Sequence, residues 1–313
     1  MGDLSAGKEA IDDFIIIKSD GYPTYNFAHI IDDYQMECTH VIRSQEFLSS
    51  VPKYLNLYEA LEIKPPLLAT LPYVLAEDGN KKLSKRDGAK DILDYARDGY
   101  LPEAIINFMA SLGWNDGTEQ EIFSVGELVK KFSLKRVQKG GAKFDVQRLD
   151  WTNGHYIRQL KIDDLYKYSA DFWPAQAKGY DDKYKKAVLG LVQERLKYLA
   201  ELPKLTSFFF EDLPINKQLV KSNKQLAKLT PEELKSLLKR SEEELKKSDY
   251  TTEDLISRLN QLLKETGQKP AVLFSLIRIA TTQSPASPPL AESLAVLGRE
   301  TVLRRIDTQL DSF

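Results

Sequence analysis

Between Asp13 and about Asp91 the apolar residues fall in short runs separated by polar stretches with helical spacing. Phe14-Ile15-Ile16-Ile17 is continuous and rich in β-branched residues, which predicts a strand buried on both faces. Asp20-Gly21-Tyr22-Pro23 breaks that run, and Phe27, Ile30, Ile31 and Tyr34 then recur at the spacing of a helix. Thr39-His40-Val41-Ile42 predicts a second strand, followed by a longer amphipathic helix through Phe47, Val51, Tyr54, Leu55, Tyr58 and Leu61 that stops at Pro65-Pro66. Leu67 to Leu75 predicts a third strand interrupted by Pro72, with a turn at Glu77-Asp78-Gly79-Asn80. Strand, helix, strand, helix, strand is the order of a parallel sheet with crossover helices. Three strands are too few for a complete doubly wound domain and leave a bare parallel edge. The expectation is therefore that this region pairs with another piece, or that the first half of its domain is missing.

Beyond about Tyr100 the pattern turns helical and stays so. Pro102-Glu103-Ala104 suits a first helical turn, with Ile105, Ile106, Phe108, Met109 and Leu112 on its apolar face and Gly113 as its stop. Ser124 with Glu127, and Thr230 with Glu233, are capping-box starts. Asp145 opens a helix whose face includes Leu149, Trp151 and Ile157, and Ser284 to Pro289 is a loop. The fold class expected is α/β followed by all-α.

At 313 residues the chain is about two domains long, and 42% hydrophobic with 29% charged residues excludes a wholly disordered chain. Forty-four basic and 46 acidic residues leave a formal charge of −2, so attraction to nucleic acid must come from local patches. The one cysteine, Cys38, closes no disulfide within the chain, and with His29, His40 and His155 it forms no zinc pattern. No apolar run approaches the roughly 20 residues of a membrane span, and Met1 to Ala10 carries no secretory signal, so a cytoplasmic setting is expected.

Three segments carry candidate chemistry. Lys82-Leu83-Ser84-Lys85-Arg86 places three cations after a strand and a glycine turn, where they either form a solvated basic turn or neutralise charge on a triphosphate attacked at its α-phosphorus. Arg43 sits at the carboxyl end of the second strand, the rim where open parallel sheets bind ligands, and a guanidinium there either makes a surface ion pair or clamps a carboxylate. Tyr25, at the entry of the first helix, lies beside the same rim. Asp32-Asp33 reads as a solvated helix end, because adjacent helical residues point apart. His29 and His40 have no nucleophile at a useful spacing, and Cys38 reads as a small buried residue.

Asp12-Asp13-Phe14, Lys18 through Ala28, Ile31-Asp32-Asp33 and Thr39 through Arg43 together resemble the second half of the catalytic domain of bacterial glutamyl-tRNA synthetases. Lys82 through Arg86 is similar to that family's form of the class I KMSKS signature. The series continues through Gly99 to Ala104, Leu112-Gly113-Trp114, Glu121-Ile122-Phe123, Lys143-Phe144-Asp145 and Leu149 to Arg158. The resemblance implies the carboxyl-terminal half of a class I Rossmann-like catalytic domain over residues 1–98, a helical stem-contact connector over 99–161 and a helical anticodon-binding region over 162–313. It implies a monomeric enzyme that uses ATP and Mg2+ to join glutamate to tRNA(Glu) through a glutamyl-adenylate. It places Tyr25 and Arg43 at the glutamate, and Val74, Leu75, Phe47, Lys82, Ser84, Lys85 and Arg86 at ATP, with Lys85 and Lys82 as the catalytic cations. Lys135, Arg136, Lys139 and Lys143 are candidate tRNA phosphate contacts. Ser44, Gln45 and Phe47 depart from the family's commoner Gly, Glu and His or Trp. The H-I-G-H signature of the family does not occur, so the expectation is a glutamate–tRNA ligase whose present chain is catalytically incomplete, with a non-catalytic tRNA-binding module as the rival.

Overall fold

In the computed structural model residue 7, residues 11–84 and residues 90–313 are described. The chain divides into two compact units, Met1–Asp91 with Ile105–Leu149, and Ile92–Ala104 with Asp150–Phe313.

In the first unit, helix α1 (Tyr25–Gln35) leads to strand β1 (His40–Ser44), a 3-10 helix (Gln45–Ser50) and helix α2 (Val51–Ala60), which starts with proline in its first turn. Strand β2 (Leu67–Leu71) then lies parallel to β1, with His40 opposite Leu67 and Arg43 opposite Thr70. This is the strand–helix–strand crossover that the periodicity implies. Ile30 of α1 packs against Tyr54 and Tyr58 of α2, all three at most 3% exposed. Strand β3 (Val74–Leu75) follows Pro72 and pairs in parallel with β4 (Ala142–Lys143). Between these two strands in sequence come α3 (Ile92–Asp98), which belongs to the second unit, then α4 (Pro102–Ser111) and α5 (Val125–Lys131). Both halves of the Ser124–Glu127 capping box are formed at α5. Trp114, Phe123 and Leu128 make a second small core of this unit.

Phe14 to Ile17 does not form the expected strand. Ile17 makes only an isolated bridge to Pro23, and Ile15 and Ile17 are 70% and 52% exposed. The segment folds back on itself: Lys18 N–H donates to Tyr22 O, and Thr24 donates from its N–H to Ile16 O and from its hydroxyl to Ile15 O. A β-branched run needs a neighbouring ladder as well as the right side chains. Cys38 is half-buried and not enclosed.

The second unit is helical. After α6 (Val146–Gln159) come α7 (Ile162–Tyr168), α8 (Asp182–Val192), α9 (Leu202–Phe210), α10 (Lys217–Ser222), α11 (Pro231–Leu245), α12 (Thr252–Thr266), α13 (Pro270–Thr282), α14 (Leu290–Leu297) and α15 (Arg299–Asp311). Its main core joins Leu238, Leu255, Leu273, Leu276, Leu294 and Ile306, each fully buried. A second core gathers Leu101, Ile157, Leu165, Leu189 and Leu196. Asn153, on α6 and fully buried, accepts from Leu101 N–H at 2.8 Å and donates to Lys197 O. Gly99 has φ +78°, and a Cβ there would stand 2.5 Å from Leu199 Cβ, so the turn before α4 admits no side chain. Among the described residues no helix is long and apolar enough to cross a membrane.

Candidate functional site

Arg43 occupies the fourth position of β1, near the carboxyl end, and its guanidinium donates to the Tyr25 hydroxyl at the first position of α1. The two residues that sequence reasoning set on one rim are thus in contact. The guanidinium carbon also lies 5.2 Å from the Phe47 ring centroid, 5.4 Å from that of Tyr25 and 5.9 Å from that of Tyr54, distances at which a cation is attracted to an aromatic face. Among the described residues no carboxylate forms an ion pair with Arg43.

Behind Arg43 lies His29, one turn along α1 from Tyr25. Its ring is 5.2 Å from Tyr25 and meets the edge of Tyr54 at 4.5 Å. Burial holds the His29 imidazole below its ordinary pKa, and the positive charge of Arg43 pushes the same way. Asp33 opposes them, but its Oδ2 stands 3.5 Å from Nδ1, too long for a strong hydrogen bond. His29 is therefore neutral at pH 7, and the positive charge at the rim is that of Arg43. Asp33 turns inward while Asp32 stays exposed, as expected of neighbours on a helix.

The second group of candidates lies beyond β2. Val74 and Leu75 are half-buried in β3, and Leu75 O accepts from Phe144 N–H at 2.9 Å. The chain turns at Gly79 and returns so that Ala76 N–H donates to Lys81 O and Leu83 N–H to Val74 O. Lys82 donates to Glu46 of the 3-10 helix and sits 5.0 Å above the Tyr73 ring, and the hydrogen bond to Glu46 raises its pKa above the ordinary lysine value. Ser84 is exposed beside it. Lys85 and Arg86 lie outside the described residues.

Of the four basic residues considered as phosphate contacts, all are exposed. Arg136 is partly engaged, donating to Asp116 O across the Gly117 turn. Lys143 passes over Gly79, where φ is +74° and a Cβ would stand 2.2 Å from Lys143 Cε, so a glycine there admits the lysine beside the Lys82 turn.

The second unit holds a half-buried arginine that the periodicity did not single out. Arg278, half-buried on α13, donates from Nε to Ser287 Oγ at 2.9 Å. Burial lowers its pKa, and the nearby charge of Arg195 lowers it further. Among the described residues neither arginine is ion-paired. A signal was present: Arg278 is the one charge in the stretch from Pro270 to Thr282. His29, Tyr54 and Glu46 were likewise missed as neighbours of the two candidate groups, because each reaches its partner only through the fold.

Comparison with known proteins places most of the chain under two family models. Residues 1–151 match the model for the catalytic domain of class I tRNA synthetases (E and Q), and residues 164–310 match an anticodon binding domain. The chain is 37% identical over 321 residues to glutamate–tRNA ligase 2 of Caldicellulosiruptor saccharolyticus, covering 100% of this chain and 64% of that protein. It is 40% identical over 317 residues to glutamate–tRNA ligase of Chlorobaculum parvum, covering 97% and 62%. In structure it is similar to a glutamate tRNA ligase from Elizabethkingia meningosepticum crystallised with its amino acid, with TM-score 0.84, 28% identity and coverage of 99% of this chain and 64% of that one. The chain thus spans somewhat less than two thirds of the length of these relatives. With matches in tandem over nearly all its residues, the chain belongs to the glutamate–tRNA ligase family of class I tRNA synthetases.

Proposed function

We propose that the protein acts as a glutamate–tRNA ligase, and that this chain carries the carboxylate clamp, the signature segment and the anticodon-binding region of that activity. The observation that supports it most directly is Arg43, a guanidinium at a strand's carboxyl end that is oriented by Tyr25 and left without an acidic partner among the described residues. A carboxylate arriving there meets a fixed cation with donors to spare. Val74 and Leu75 would flank the adenine, while Lys82, Ser84, Lys85 and Arg86 would face the phosphates.

In this reading a glutamate carboxylate oxygen attacks the α-phosphorus of ATP, pyrophosphate leaves, and the acyl group then passes from the adenylate to a ribose hydroxyl of the tRNA as AMP departs. Cations near the phosphates stabilise the charge that gathers on the departing pyrophosphate. Mg2+ would arrive with the triphosphate.

Residues 1–98 would serve the nucleotide, 99–161 the tRNA stem and 162–313 the anticodon, in the cytoplasm where translation runs. In the second unit we assign Arg278, whose Nε donates to Ser287, to RNA. Lys135, Lys139 and Lys143, all exposed, would add phosphate contacts that position without reading bases. The test is glutamate charging of tRNA by the native protein purified from its source. Formation of glutamyl-tRNA that needs ATP supports the ligase; tight tRNA binding with no charging under any condition leaves the non-catalytic binding module in its place.

A further inference from the structure

We propose that Phe47 is a positioning residue for Arg43, one wall of an aromatic cage that aims the guanidinium at a carboxylate, and not a stacking surface for the nucleotide. The proposal rests on the reading of Arg43 as the carboxylate clamp. Three rings surround the guanidinium carbon at 5.2, 5.4 and 5.9 Å, and the nearest belongs to Phe47. The Phe47 and Tyr25 rings lie 6.2 Å apart, tilted by 39°, as neighbouring walls beside the cation. Tyr54 adds the third ring and is itself fixed, being 3% exposed and set against His29.

Division of labour follows from the chemistry of the three rings. Tyr25 spends its hydroxyl on an Arg43 N–H and so fixes the direction of the guanidinium. Phe47 has no polar atom to offer a ligand, and what it contributes is the negative face of its ring. A carboxylate near Arg43 would neutralise the clamp before its ligand arrived; aromatic faces hold the cation in place while leaving its charge available. The short 3-10 helix Gln45–Ser50, entered directly from β1, carries Phe47 back over the residue four positions earlier. His29 is neutral behind the cage, so the cage contains one positive charge.

The experiment follows the Arg43 Nε–Hε resonance in nitrogen-15-labelled protein, assigned by its loss in Arg43→Lys. In Phe47→Leu this resonance is expected to shift as the ring current is removed and to lose order in its relaxation, and Phe47→Tyr is expected to restore both. In calorimetric titrations Phe47→Leu is expected to weaken L-glutamate binding about fivefold to tenfold while ATP binding changes less than twofold. An unmoved Arg43 resonance in Phe47→Leu, or a loss of ATP binding with glutamate binding intact, overturns the proposal. Should the unsubstituted protein bind ATP but no glutamate while the resonance still responds to Phe47→Leu and Phe47→Tyr, the cage stands and the glutamate assignment falls.

Discussion

Replacing Asn153 by alanine tests how the second unit is tied together. Asn153 is fully buried, its Oδ1 accepting from Leu101 N–H at 2.8 Å and its amide donating to Lys197 O, so one side chain joins α6 to the start of α4 and to the segment after α8. Alanine leaves both backbone groups without their partner. A buried donor or acceptor left unpaired costs about 1–3 kcal/mol. The Leu101 N–H is enclosed and falls toward the upper part of that range, whereas Lys197 is an exposed residue whose carbonyl regains water more easily. The expected loss is about 3 kcal/mol, which lowers the melting temperature of a unit of this size by about 6–12 °C. Calorimetric melting and urea titration followed by circular dichroism measure it, with Gln159→Ala, an exposed residue of the same helix, as a control expected within about 0.5 kcal/mol of the parent. A loss below about 1 kcal/mol for Asn153→Ala would refute the argument that this amide carries the junction.

Other expectations are more local. Arg278→Gln lowers the affinity for tRNA and reduces the slope of log affinity against log salt by about one; an unchanged slope removes Arg278 from the RNA contact. Asp116 is held at a pKa of about 2, first by the hydrogen bond from Lys131 and then by Thr118. Because its folded value is depressed, its contribution to stability is present above the ordinary value of 3.8 and is lost as the pH falls toward 2. In Lys131→Met the carboxyl titration followed by carbon-13 NMR moves up toward 3.8, and an unmoved midpoint contradicts the assignment. In a full-length version that carries out the exchange, Lys85→Ala lowers the rate of glutamate-dependent pyrophosphate exchange far more than tRNA affinity, and equal losses in both would show that the residue serves binding instead.

Much of the fold was legible because its signals are local. The helix and strand periods located α1, β1 and β2, and the proline pair at Pro65-Pro66 and Pro72 marked where β2 begins and where it gives way to β3. Capping boxes at Ser124 and Thr230 formed as their spacing requires. Phe14 to Ile17 misled for the opposite reason: strand formation depends on a partner that residue type cannot reveal. Among site residues, Tyr25 and Arg43 were placed together because strand ends and helix entries share a rim in a crossover unit. The surroundings of Arg43 were not legible, since Phe47 and Tyr54 reach it through a 3-10 helix and a buried helix face that periodicity read as one continuous helix. Arg278 was hidden by the apolar helix around it, although a single charge in such a helix was itself the clue.

The assignment to tRNA is tested most directly by fluorescence anisotropy with two transcripts, the glutamate tRNA and the same molecule with its anticodon changed. The account predicts tighter binding of the first and affinity that falls steeply between 50 and 200 mM salt. Equal affinity for both transcripts, with no dependence on salt, would contradict it.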